Sequence, residues 1–138
     1  MMESRGFLSG ADFPAGRLLL LACLLSLSVS RAWGAEINCE VDYGNQLQQM
    51  VVAPGNDPYE MQQLDPGGGF RFSAQYLLPA SKLKTYVYQE SKARMVLIHA
   101  AEYPLPDCHA DAPVTGLNRV YSPQLERELL FRCWQDCR

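Results

Sequence analysis

The residue types best suited to chemistry meet in Pro106-Asp107-Cys108-His109-Ala110-Asp111, where a histidine stands between two carboxylates. An imidazole flanked by Asp107 and Asp111 can ligate a divalent cation, or act as a general base whose protonated form the carboxylates stabilise. The same composition is ordinary for an exposed turn. A metal-dependent or hydrolytic enzyme built on His109, Asp107 and Asp111 is therefore an alternative reading rather than the leading one. The second histidine, His99, lies among Met95, Leu97, Ala101 and Tyr103. It reads as a buried, hydrogen-bonded side chain. No Gly-x-Ser-x-Gly elbow, His-Glu-x-x-His pair or P-loop occurs in the chain. Gly67-Gly68-Gly69 precedes a strand pattern, without the helix N-terminus that phosphate binding uses. No catalytic residue and no cofactor is implied.

Tyrosines offer a different kind of chemistry. All seven follow residue 40: Tyr43, Tyr59, Tyr76, Tyr86, Tyr88, Tyr103 and Tyr121. Tyr86 and Tyr88 fall at alternate positions with Lys84, so on a strand they share one polar face. A tyrosine on such a face supplies a large contact area at low entropy cost. Tyr86, Tyr88 and Lys84, with Tyr59 from a neighbouring loop, are the candidate binding residues. Cross-strand packing is the competing explanation for the same tyrosines.

Four cysteines in the body of the chain must hold whatever scaffold carries these residues: Cys39, Cys108, Cys133 and Cys137. An even number in a small exported chain reads as two disulfides. Zinc sites show tighter Cys-x-x-Cys pairs than Cys133-Trp134-Gln135-Asp136-Cys137. Cys39 and Cys133 fall on apolar strand faces, which favours Cys39 with Cys133 and leaves Cys108 for Cys137. Four cysteines allow three pairings, and the spacing alone does not choose among them.

Export is read from the first 34 residues. Arg5 and Arg17 precede the apolar run Leu18–Val29, and Ser30-Arg31-Ala32-Trp33-Gly34 supplies small residues for cleavage. That order is a signal peptide. The run has 12 residues, against roughly 20 needed to span a bilayer, so no stable membrane anchor is expected after cleavage. Cleavage after Gly34 fits best; cleavage after Ala32 is close behind, and after Ala35 third. Acylation of Cys23 is a weaker alternative. The remaining stretch, 35–138, reads as one domain, periplasmic or secreted. It carries nine Lys/Arg against thirteen Asp/Glu. The basic residues are scattered, and even the densest group, Lys82, Lys84, Lys92 and Arg94, is too small for a nucleic-acid surface. No Asn-x-Ser/Thr acceptor site is present, which permits a bacterial periplasm.

Short apolar segments bounded by Gly, Pro, Asn or Asp recur along this stretch, the pattern of an all-β domain. Strands are predicted over Glu36–Asp42, Gln46–Ala53, Phe70–Leu78, Leu83–Glu90, Arg94–Tyr103 and Glu126–Trp134. Arg94–Tyr103 is apolar on both faces and reads as a central, doubly covered strand. Loops are predicted over 54–69, with one short helical turn near Tyr59–Leu64, and over 104–124. About six strands make a small antiparallel sandwich or a partly open barrel.

The expected function is a non-catalytic binding or inhibitor-like module whose partner is a protein or glycan of the envelope or extracellular space. A structural subunit of an envelope complex, with Met95–Tyr103 partly interfacial, is a further alternative.

Overall fold

The computed structural model describes residues 35–108, 112–123 and 126–137. Residues 1–34, over which a signal segment is predicted, lie outside the described residues with Cys23, as do His109 and Asp111.

The first sheet begins with a hairpin of β1 (Glu36–Tyr43) and β2 (Gln46–Val52). Gly44 and Asn45 between them both have positive φ, as a two-residue turn matching the strand twist requires. β9 (Arg127–Asp136) pairs with the other edge of β1, and β8 (Asn118–Ser122) pairs with β9, giving the order β2-β1-β9-β8. The second sheet is a meander of β5 (Phe70–Leu77), β6 (Lys82–Ser91) and β7 (Arg94–Pro104). The remaining edge of β5 is shared by β3 (Pro54–Gly55), which is parallel to it, and β4 (Gln62–Gly67), which is antiparallel.

Period-two alternation places one face of each sheet in a common core. Ile37, Cys39 and Val41 of β1 and Leu129, Phe131 and Cys133 of β9 meet Phe70, Phe72, Ala74, Leu83 and Val87 from the other sheet. Phe72 and Phe131 stack across the interior with centroids 5.0 Å apart, and Tyr43 meets Phe70 edge-on at 5.5 Å. Fully burying a side chain of this kind stabilises by about 1.5–3 kcal/mol. The two sheets face each other across this core and are not closed into a barrel by a continuous ladder among the described residues.

Cys39 and Cys133 are directly opposite in the β1–β9 ladder, Cα atoms 4.0 Å apart, and form a disulfide. Cys108 and Cys137 form the second. Both pairs match the arrangement favoured from the strand faces. The strand over Glu126–Trp134 is also borne out, because Leu129, Phe131 and Cys133 are fully buried while Arg132 between them is exposed.

Four expectations need correction. No helical turn forms at Tyr59–Leu64; the 54–69 stretch instead contributes β3 and β4. Pro66 is tolerated in β4 because the register breaks between Leu64 and Gly67, and a strand that pairs on one side only needs no donor on the other. The 104–124 stretch contains β8, which is hard to see between Pro113 and Pro123 because Val120 is the only large apolar side chain it buries. These additions raise the count from about six to nine among the described residues.

β7 is the fourth correction, since it is an edge strand, with Val96 and Leu97 each nearly half exposed. A bulge explains its misleading pattern. Val87 is opposite His99 and Tyr88 is opposite Leu97, leaving Ile98 as an extra residue. The face that sequence alternation assigns to Leu97, His99, Ala101 and Tyr103 is thereby split. His99, Ala101 and Tyr103 pair with the inward residues Val87, Thr85 and Leu83, whereas Leu97 joins outward Tyr88.

Candidate binding face

The outer face of β5, β6 and β7 is built from cross-strand rows, because directly paired residues in an antiparallel sheet point to the same side. One row is Arg71, Tyr88 and Leu97; the next is Ser73, Tyr86 and Ala100; the third is Gln75, Lys84 and Glu102. The structure thus brings Tyr86, Tyr88 and Lys84 together as their spacing predicts. Both tyrosines are half-buried.

Tyr59 reaches the same face by a different route. It sits in the segment between β3 and β4, where its N–H is accepted by Asp57 Oδ1 at 2.8 Å. Gln75 Nε2 donates to the carbonyls of Asp57 and Glu60, at 3.0 and 2.8 Å. Gln75 is buried beneath this segment and is the cross-strand partner of Lys84. Tyr59 itself is 89% exposed, a ring held out in water at the margin of the face.

Lys84 is paired within the chain. Its Nζ is 3.1 Å from Glu102 Oε1, and Lys82 reaches Glu102 Oε2 at 3.3 Å. The hydrogen bond that Lys84 donates to Glu102 raises the Lys84 pKa, and the two lysines lower that of Glu102. Cationic chemistry lies at the opposite end of the face. A cleft of about 360 Å³ is lined by Asp65, Gly69, Arg71, Glu90, Arg94 and Met95, among others. Neither Arg71 nor Arg94 is in an ion pair among the described residues. Both arginines are exposed at this concave site, and a guanidinium suits a planar acceptor such as a carboxylate.

Sequence reasoning missed Arg71 and Leu97 as members of this face, and Arg94 as part of the cleft at its end. Strand alternation places Arg71 outward, but only the β5–β6 register sets it beside Tyr88. The bulge that brings Leu97 next to Tyr88 has no signal in the order of residues.

The glycine run shapes the cleft wall. Gly68 has φ +65°, and a Cβ there would collide with the Tyr43 ring. Arg127 Nη1 and Gln89 Nε2 both donate to the Gly68 carbonyl, at 2.9 and 3.3 Å. The turn is therefore tied to the strands on both sides of it.

No protein family, curated protein or solved structure matches the chain.

The other sequence candidates are placed as follows. Asp107 is exposed beside Cys108, which is held to Cys137. Its expected companions His109 and Asp111 lie outside the described residues, and no group of three potential metal ligands occurs among those described. His99 points inward, half-buried, its ring edge-on to Phe131 at 5.6 Å. Its Nε2 is buried without a hydrogen-bond partner among the described residues. Desolvation lowers its pKa from the ordinary 6.5. Glu128 pairs with Arg119 at 2.9 Å, and Glu126 lies in the turn before β9.

Proposed function

We propose that the chain is an exported, non-catalytic binding module, released by cleavage of residues 1–34 into a bacterial periplasm or the secreted fluid. Its partner is a protein or glycan of that compartment, held on the outer face of β5–β7. The observation that carries this reading is the row Arg71, Tyr88, Leu97, with Tyr86 adjoining. Aromatic and aliphatic area lies beside guanidinium groups that are in no ion pair among the described residues. Aromatic side chains and arginine are the types that dominate binding energy in interfaces. Two disulfides are consistent with an oxidising compartment.

The test is capture from an envelope extract with the exported protein as bait. Tyr86→Ala combined with Tyr88→Ala is expected to abolish retention of the partner while leaving the disulfides formed. A partner retained equally by this variant, and by one shortened within 54–69, would show that the proposed surface is not the one used.

A further inference from the structure

Edges of the two sheets are treated differently by the sequence. β7 carries Arg94, Glu102, Pro104 and the bulge at Ile98. β8 is five residues long and contains Arg119. β4 contains Asp65-Pro66 and a break in register. Charges, prolines, bulges and shortness are the devices that stop a strand edge from pairing with another chain. β2 has none of them. Its seven residues, Gln-Leu-Gln-Gln-Met-Val-Val, include no charge, proline or glycine. The register with β1 runs unbroken from Gln46–Tyr43 to Val52–Ile37. Among the described residues β1 is its only ladder partner, so one row of its backbone N–H and C=O groups has no strand partner among them.

We infer that β2 is a self-association edge, joining two copies of this chain as an antiparallel β2–β2 pair about a two-fold axis through Gln49. The occupant is a second copy because the strand is complementary to itself. With Gln49 opposite Gln49, Leu47 faces Val51 on the outer side. Gln48 faces Met50, and Gln46 faces Val52, on the inner side. Every row repeats by symmetry. Leu47 and Val51 are 57% and 51% exposed in the single copy, and each would gain an apolar cross-strand neighbour. No like charges are brought together within β2, since it has none. The two four-stranded sheets would merge into one of eight strands, a size that open sheets reach. This edge is on the other sheet from Tyr86 and Tyr88, so it stands or falls independently of the binding face.

The test uses sedimentation equilibrium of the oxidised protein. Twice the monomer mass is expected at tens of micromolar. Gln49→Lys sets two lysines against each other on the axis, and Gln49→Glu does the same with carboxylates. Like charges directly opposed destabilise a pair, so each variant alone is expected to dissociate about five- to tenfold more readily, a shift of roughly 1 kcal/mol. An equimolar mixture of the two is expected to recover the association. Far-ultraviolet circular dichroism identical to the parent would show that the strands are intact. A monomeric parent at several hundred micromolar overturns the inference. So does a dimer unaffected by either substitution, or one that mixing fails to restore.

Discussion

The outer faces of the two sheets carry similar side chains and leave them in different states. On the first sheet Arg132 pairs with Glu40 at 2.9 Å and its guanidinium lies 4.8 Å over the Trp134 ring, while Arg119 pairs with Glu128. Its cations are already engaged by the protein's own groups. On the second sheet Arg71, in the same row as Tyr88, and Arg94 line a cleft and are in no ion pair among the described residues. Aromatic area alone does not distinguish the faces, because Trp134, Tyr121 and Leu130 belong to the first sheet. The difference lies in the charges. A guanidinium that must leave its own carboxylate gains little from a partner's, whereas an unpaired one keeps its full set of donors for it.

The sheets also differ in what holds them, and the largest effect is expected there. Cys39–Cys133 closes 94 residues of chain and is fully buried within the first sheet. In the chain-entropy model such a loop contributes on the order of 5 kcal/mol. Replacing both cysteines with alanine is expected to remove most of the stability of a domain this size, read as a fall in melting temperature large enough to leave the protein partly unfolded at 37 °C. Cys108–Cys137 closes only 29 residues, and both cysteines are exposed. Its removal is expected to cost on the order of 3–4 kcal/mol at most, with the ladders of both sheets retained. Equal melting temperatures for the two variants would contradict this ranking.

A smaller effect separates the interior from either face. Folded His99 favours its neutral form because burial opposes the charge. Below pH 6.5 the unfolded chain binds a proton that the folded chain resists, so this residue weakens the fold as pH drops from 6.5 toward its lower folded value. Above 6.5 it has no such effect. His99→Leu is expected to flatten the stability profile between pH 6.5 and 5, measured by denaturant unfolding. An unchanged slope would place the proton elsewhere. The smallest effect is expected on the second sheet's surface, where Glu102→Gln releases Lys82 and Lys84. Exposed pairs of this kind are strongly screened, so the melting temperature should not move measurably in moderate salt.

Much of the architecture was legible because alternation of apolar residues and placement of cysteines follow from the same inward face. Ile37, Cys39 and Val41 identify that face of β1, as Leu129, Phe131 and Cys133 do for β9, and the disulfide follows from setting the two together. What was not legible depends on events between strands. The bulge at Ile98 turns a uniformly apolar run into an edge, and no residue in Arg94–Tyr103 announces it. β3 and β4 form against β5 in a stretch whose prolines and glycines read as loop. Tyr86, Tyr88 and Lys84 could be grouped because they share a strand. Arg71 and Leu97 could not be added without the register that sets them beside Tyr88.

The contrast between paired and unpaired guanidinium groups is tested most directly by capturing the proposed partner with two matched variants of the protein. One carries Arg71→Ala with Arg94→Ala on the second sheet, and the other Arg119→Ala with Arg132→Ala on the first. The account predicts that the first variant loses the captured partner and the second retains it. Loss with the second variant and retention with the first would contradict it.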